Sequence, residues 1–209
     1  SRAASSVELP AVTVAREQLQ RMRSMTAQYH RRFFADVWLT VIVWLAVLVA
    51  GDVGSGLAFV ALPFVALFGA VITAFDASYL VFARHYSAAL ERFLNGRIGE
   101  RVLVGADLED EYLFPLRDRK VVTIARRFSW FGFVTVFFTA LGTLGYVFGL
   151  VLALDSIVTR SAEIVFLAVL TAMTVAAFAT GVWWFVSGVG ERRLTDVLDP
   201  AFPAVPTGR

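Results

Sequence analysis

Few side chains in these 209 residues are of a type that could do chemistry. There is no cysteine, so thiolate metal sites, thiol nucleophiles and disulfides do not arise within this sequence. The histidines are His30 and His85, and a bis-histidine haem or metal site would need both. If two helices run outward from a turn at Val53, the histidines lie about 23 and 32 residues along them. At 1.5 Å per residue they would differ by roughly 13 Å in depth, too far to share an ion. Asp107, Glu109, Asp110 and Glu111 could chelate a divalent cation, but they lack the alternating ligands and central Gly of a calcium loop. An acidic face meeting Arg-rich helix ends is the expectation for them. No Walker loop, dinucleotide glycine fingerprint, G-x-S-x-G elbow or H-E-x-x-H is present. No catalytic residue, cofactor or metal ligand is assigned, and the reading is non-enzymatic.

Ionisable groups inside an apolar span are a default functional signal because they are costly there. Only Asp36 falls within such a span, close enough to its end to pair with Arg32 four residues earlier, and Asp76 lies just past the next. A structural anchor is expected of both. The polar alternative is a cavity built from Thr40, Thr135, Thr139, Thr143 and Thr171, which would suit a small-molecule transporter or a lipid-handling enzyme.

The elements that position these groups follow from composition. The chain is 58% hydrophobic and 17% charged, with mean hydropathy +0.70, whereas a soluble domain is about a quarter charged. Four runs are long enough to cross a hydrocarbon core about 30 Å thick: 33–50, 57–75, 128–154 and 164–189. The first thirty residues contain Glu8 and Glu17 and fit neither a secretory signal nor a transit peptide, so the first run is expected to be retained. Six Arg precede the first run, nine Arg or Lys separate the second from the third, and three follow the fourth, against Arg160 alone in the two short turns. That bias places both termini and the central segment in the cytoplasm of a multi-pass inner-membrane protein. Trp38, Trp130, Trp183 and Trp184 then fall near the cytoplasmic interface, while Trp44 is expected to pack between helices. Of the 19 basic residues only Lys120 is Lys, a bias typical of GC-rich bacterial coding. Topology accounts for the Arg residues, so no nucleic-acid partner is inferred.

The helices outrun the membrane. Ala15, Leu19, Met22, Thr26, Tyr29 and Phe33 recur at heptad-like spacing, and so do Phe75, Tyr79, Phe82, Tyr86, Ala89 and Phe93. Asp76, Arg84, Glu91 and Arg92 fall off the second stripe. The two stripes predict a cytoplasmic stalk packed through Leu19, Met22, Tyr29, Phe33, Tyr79, Phe82, Tyr86 and Phe93, with Asn95-Gly96 ending the second helix. The alternative is that each stripe lies flat on the membrane surface.

The expected organisation is all-α. A flexible N-terminus (1–11) precedes a first long helical hairpin (12–95), a cytoplasmic connector (96–118), a second hairpin (119–197) and a Pro-rich disordered tail (198–209). Within the connector, 101–105 could form a short strand. Arg31-Arg32-Phe33 is echoed by Arg126-Arg127-Phe128, Thr40-Val41 by Thr135-Val136, and Glu91-Arg92 by Glu191-Arg192, which is the pattern of an internal duplication. Small residues at four-residue spacing allow helix backbones to approach. They are Gly145 and Gly149, Ala66, Ala70 and Ala74, and Ala168, Ala172 and Ala176, and they serve packing within one protomer or a seam between copies.

Tyr79-Leu80, Tyr86, Leu90-Glu91-Arg92-Phe93-Leu94-Asn95, Ile98-Gly99 and Val102-Leu103 resemble the stretch after the second helix in uncharacterised four-helix actinobacterial integral membrane proteins. The likeness covers about a quarter of the chain and implies no activity. Tyr29-His30-Arg31-Arg32 ahead of a hairpin is distantly similar to the two-helix SLATT domains, proposed to form pores in bacterial defence; the second hairpin departs from them. The functional expectation is a membrane protein that self-associates and is pore- or channel-like. An accessory or scaffold subunit of a larger membrane complex, partnered by another membrane protein, is the alternative.

Overall fold

The computed structural model describes residues 2–112 and 130–202, with side chains over 12–112 and 132–202. Every regular element among them is helical. α1 spans Arg2–Val53, and a short 3-10 turn (Gly56–Ala61) leads into α2 (Leu62–Ile98), with Pro63 in its first turn, where a missing N–H costs nothing. α3 (Gly105–Tyr112), α4 (Trp130–Ser156), α5 (Arg160–Gly181) and α6 (Val189–Ala201) follow. Four stretches are long and apolar enough to cross a membrane, within 12–53, 56–98, 132–156 and 160–201.

α2 is the hub, touching α1, α3, α4, α5 and α6. Early residues of α1 meet late residues of α2: Ala15, Leu19 and Met22 cluster with Leu90 and Leu94, Tyr29 stacks on Tyr79 at 4.7 Å, and Gly69 abuts Thr40. The two helices therefore run in opposite senses for most of their length. At the far end α4 crowds the start of α2. A Cβ on Gly149 would lie 2.7 Å from Leu62 Cβ and 3.2 Å from the backbone at Leu62 and Pro63, so that crossing needs glycine. Gly145 faces Trp44 at ordinary contact distance, which places Trp44 between α1 and α4 as the sequence suggested. α5 rests on α2 and α4 through Phe166 and Leu170, and Tyr146 Oη lies 2.9 Å from Thr174 Oγ1.

Several boundaries differ from the sequence reading. α1 already begins at Arg2, where a flexible 1–11 was expected. α2 runs through Asn95-Gly96 and stops at Gly99, whose φ of 78° closes a left-handed cap with its N–H donating to the Asn95 carbonyl. The Asn95 side chain instead holds the segment beyond the helix, as described below. The segment 101–104 forms no regular element and pairs with no strand among the described residues. The tail is structured as far as Phe202: Gly188 (φ 68°) reorients the chain, and α6 returns along α2 with Leu198 buried. Phe202 packs between Tyr86 and Phe93 at 5.9 and 5.7 Å. Arg126, Arg127 and Phe128, which carry one of the three matches of the duplication pattern, lie outside the described residues, as do 203–209 and residues 113–118 of the expected connector.

Candidate functional site

The most unusual chemistry in the molecule is a row of charged residues buried on one side of α2: Asp76 (0% exposed), Arg84 (8%) and Glu91 (4%). Steps of 8 and 7 residues keep all three within about 80° of one another around a helix of 3.6 residues per turn. The same side carries Leu80, Ala83, Leu90 and Leu94, all buried. The buried line of α2 is thus rotated away from the aromatic stripe that the spacing favoured. Phe75 and Phe82 are exposed; Tyr79 reaches α1, and Tyr86 and Phe93 flank the cluster of Ala15, Leu19, Met22, Leu90 and Leu94 while also meeting Phe202. On α1 the stripe and the buried line coincide at Ala15, Leu19, Met22 and Phe33.

Glu91 closes one end of the row. One carboxylate oxygen accepts from Arg23 Nη2 at 2.9 Å and the other from the Ala106 backbone N–H at 2.9 Å. A Cβ on Gly105 would come within 2.8 Å of Arg23 Nη2 and 3.0 Å of Glu91 Oε1, so glycine lets the chain seat here. One turn on, Asn95 Nδ2 donates to the Leu103 carbonyl at 2.7 Å, while Oδ1 accepts from the N–H groups of Val102 (3.1 Å) and Leu103 (2.8 Å). A single amide thereby satisfies backbone groups of 102–103 as a neighbouring strand would. α3 buries no residue of its own and is fastened by polar bonds. Replacing Glu91 with Ala is expected to cost about 1–2 kcal/mol, because half-exposed Arg23 can rehydrate once its partner is gone. Amide hydrogen exchange checks this: protection should fall over 102–112 and persist over 15–22.

In the middle, Arg84 Nε donates to Glu109 Oε2 at 3.2 Å. Burial pushes the guanidinium below the ordinary arginine range, and the neighbouring Glu109 and Asp110 carboxylates only partly oppose it. The acidic run does therefore meet an Arg on a helix, and Asp107 pairs with Arg101. No cluster of three or more His, Asp or Glu able to hold a metal occurs among the described residues. His30 and His85 each have Nδ1 near the carbonyl four residues earlier in their own helix.

At the other end Asp76 sits where the apolar run of α2 gives way to its polar half. Arg32 Nε lies 3.5 Å from Asp76 Oδ1 and 3.6 Å from Asp36 Oδ2, so one guanidinium faces two carboxyl groups. Neither Asp76 oxygen receives a hydrogen bond. Asp36 was paired with Arg32 from spacing alone, but Asp76 joining them was not legible there. The signal for the whole row was its 7–8 residue period on a helix whose aromatic stripe drew attention elsewhere.

The remaining candidates disperse. Thr40 donates to the Asp36 carbonyl and Thr143 to that of Thr139, and Thr139, Thr143 and Thr171 face outward, so the threonines line no common cavity. Ala66 and Ala74 are half-buried, whereas Ala70, Ala168, Ala172 and Ala176 are exposed. An open, largely apolar depression of about 530 Å³ lies between Val60, Phe64 and Val165, Val169. Trp183 and Trp184 stand under Arg193 at 5.7 and 6.0 Å, a cation–π pairing at the α5–α6 junction.

No protein-family model matches the chain, and no curated protein or solved structure is similar to it. The fold and the charge row define an all-helical protein with four helices long and apolar enough to span a membrane.

Proposed function

We propose that this chain is a non-enzymatic, multi-pass protein of the bacterial inner membrane that associates with copies of itself. Its four apolar helices form two hairpins with both termini in the cytoplasm, and the polar halves of α1 and α2, joined by α6, stand out as a stalk. The distribution of Arg and Lys, eighteen against one, supports that orientation. The observation that carries the self-association reading is the outer face of α5. Phe166, Leu170 and Thr174 face the rest of the chain, while Ala168, Ala172 and Ala176 form an exposed small-residue row. Such a row makes little contact with acyl chains but lets a second helix backbone come close. Assembly of several protomers on this face is also what a pore- or channel-like role would require, in keeping with the distant SLATT likeness.

Native mass spectrometry of a mild detergent extract tests the reading. A defined oligomer of 23.0 kDa units, reduced to monomer by Ala172→Trp, is the expected result. A monomeric wild type would sink it. A stoichiometric second protein would favour the accessory-subunit reading instead.

A further inference from the structure

We propose that Asp36 and Asp76 together bind a single proton, making the junction between the apolar and polar halves of the α1–α2 pair a proton-responsive joint. Asp76 is completely buried, and no N–H or O–H reaches either of its carboxyl oxygens. An isolated carboxylate in such a place is among the costliest arrangements a protein can hold. Arg32, the one cation paired with it among the described residues, stands at 3.5 Å rather than the 2.7–2.9 Å of a charge-assisted hydrogen bond, and divides its one charge with Asp36. Two carboxyl groups and one guanidinium leave one positive charge wanting.

The site's other components decide what supplies that charge. An alkali cation needs a shell of several oxygens. Here the helical carbonyls are already bonded within α1 and α2, and the hydroxyls of Thr40, Thr73 and Ser78 are spent on the carbonyls of Asp36, Gly69 and Phe75 at 2.7–2.8 Å. A proton needs only one oxygen, and it turns an unsatisfied acceptor into a donor that the second carboxyl can accept. The titratable groups facing Asp76 are Arg32 and Asp36 from α1, with Tyr29 and Tyr79 stacked one turn further along. The described part of α4 before Tyr146 carries none. Exchange with solvent is open through Asp36, whose side chain is 25% exposed, and Arg32, at 58%. The proton arrives from water on Asp36, passes to the pair and leaves the same way. On its departure two like charges share a seam lacking hydrogen-bond donors, and the seam must admit water or part. The inference stands whether or not copies of the chain associate.

Infrared difference spectroscopy of the full chain in lipid bilayers, taken across a pH titration, reads the proton directly. The expected result is a carboxylic-acid carbonyl band present near neutral pH in the wild type, lost in Asp76→Asn and lost or shifted in Asp36→Asn. The thermal midpoint of the wild type should fall as pH is raised, while that of Asp76→Asn stays level. A wild type with no such band near neutral pH overturns the proposal even if neither variant folds. So does a band that both variants retain, or a midpoint raised by sodium over choline with no band.

Discussion

Truncation of Leu90 to alanine is expected to destabilise the protein by about 2–5 kcal/mol, the range for emptying a packed apolar site. Truncation of Phe82, although it removes a larger side chain, should cost less than about 1 kcal/mol, as exposed positions usually do. Leu90 is 1% exposed and lies among Ala15, Leu19, Met22 and Leu94, while Phe82 is 38% exposed with its ring 6.1 Å from that of Tyr86. The pair of variants tests which side of α2 is the packing face. Thermal unfolding in detergent, read alongside protease cleavage within 15–30 and 80–95, should separate them clearly. A larger loss at Phe82 than at Leu90 would restore the aromatic stripe as the seam and refute the rotated line.

Placing a single methyl group on Gly69 is expected to cost about 1–3 kcal/mol by overpacking the α1–α2 crossing. The added Cβ would overlap the Thr40 side chain, and Thr40 has little freedom to yield. It is β-branched, with a stiff χ1 in a helix, and its hydroxyl donates to the Asp36 carbonyl at 2.8 Å. Thr40→Ala removes the obstructing atoms, so Gly69→Ala with Thr40→Ala should recover most of the loss. A double-mutant cycle in a mild-to-denaturing detergent titration measures that coupling. Additive losses would show that the two residues do not meet. No comparable rescue is available at Gly149, where the obstruction includes the backbone of Leu62 and Pro63.

The four long apolar helices and the buried line of α1 are properties of the chain itself. Uninterrupted apolar runs of about 20 residues, too long for a strand and without polar alternation, favour helix. On the polar part of α1, Ala15, Leu19, Met22 and Phe33 are the apolar line available for burial, so periodicity names the buried face without knowing the partner. The packing of Trp44 and the pairing of Arg32 with Asp36 follow from depth and spacing in the same way.

What only the tertiary structure decided is which of two equally periodic faces α2 turns inward. Its aromatic stripe and its Leu80–Ala83–Leu90–Leu94 line both have helical spacing, and the choice depends on what α1 and α6 present to it. α1 buries the smaller side chains, which permit close approach, while Tyr86 and Phe93 flank that cluster and meet Phe202. The end of α2 lies at Gly99 rather than Gly96, and Asn95 clamps Leu103 eight residues away, a contact local spacing does not show. Burial of Asp76, Arg84 and Glu91 likewise depends on residues up to 68 positions distant, such as Arg23 for Glu91. The sequence by itself thus determined the helices and their solvent preferences, because those rest on local composition and period. Partner choice between faces, helix termination and the pairing of buried charges were left to long-range contacts, where the free energy depends on which surfaces meet.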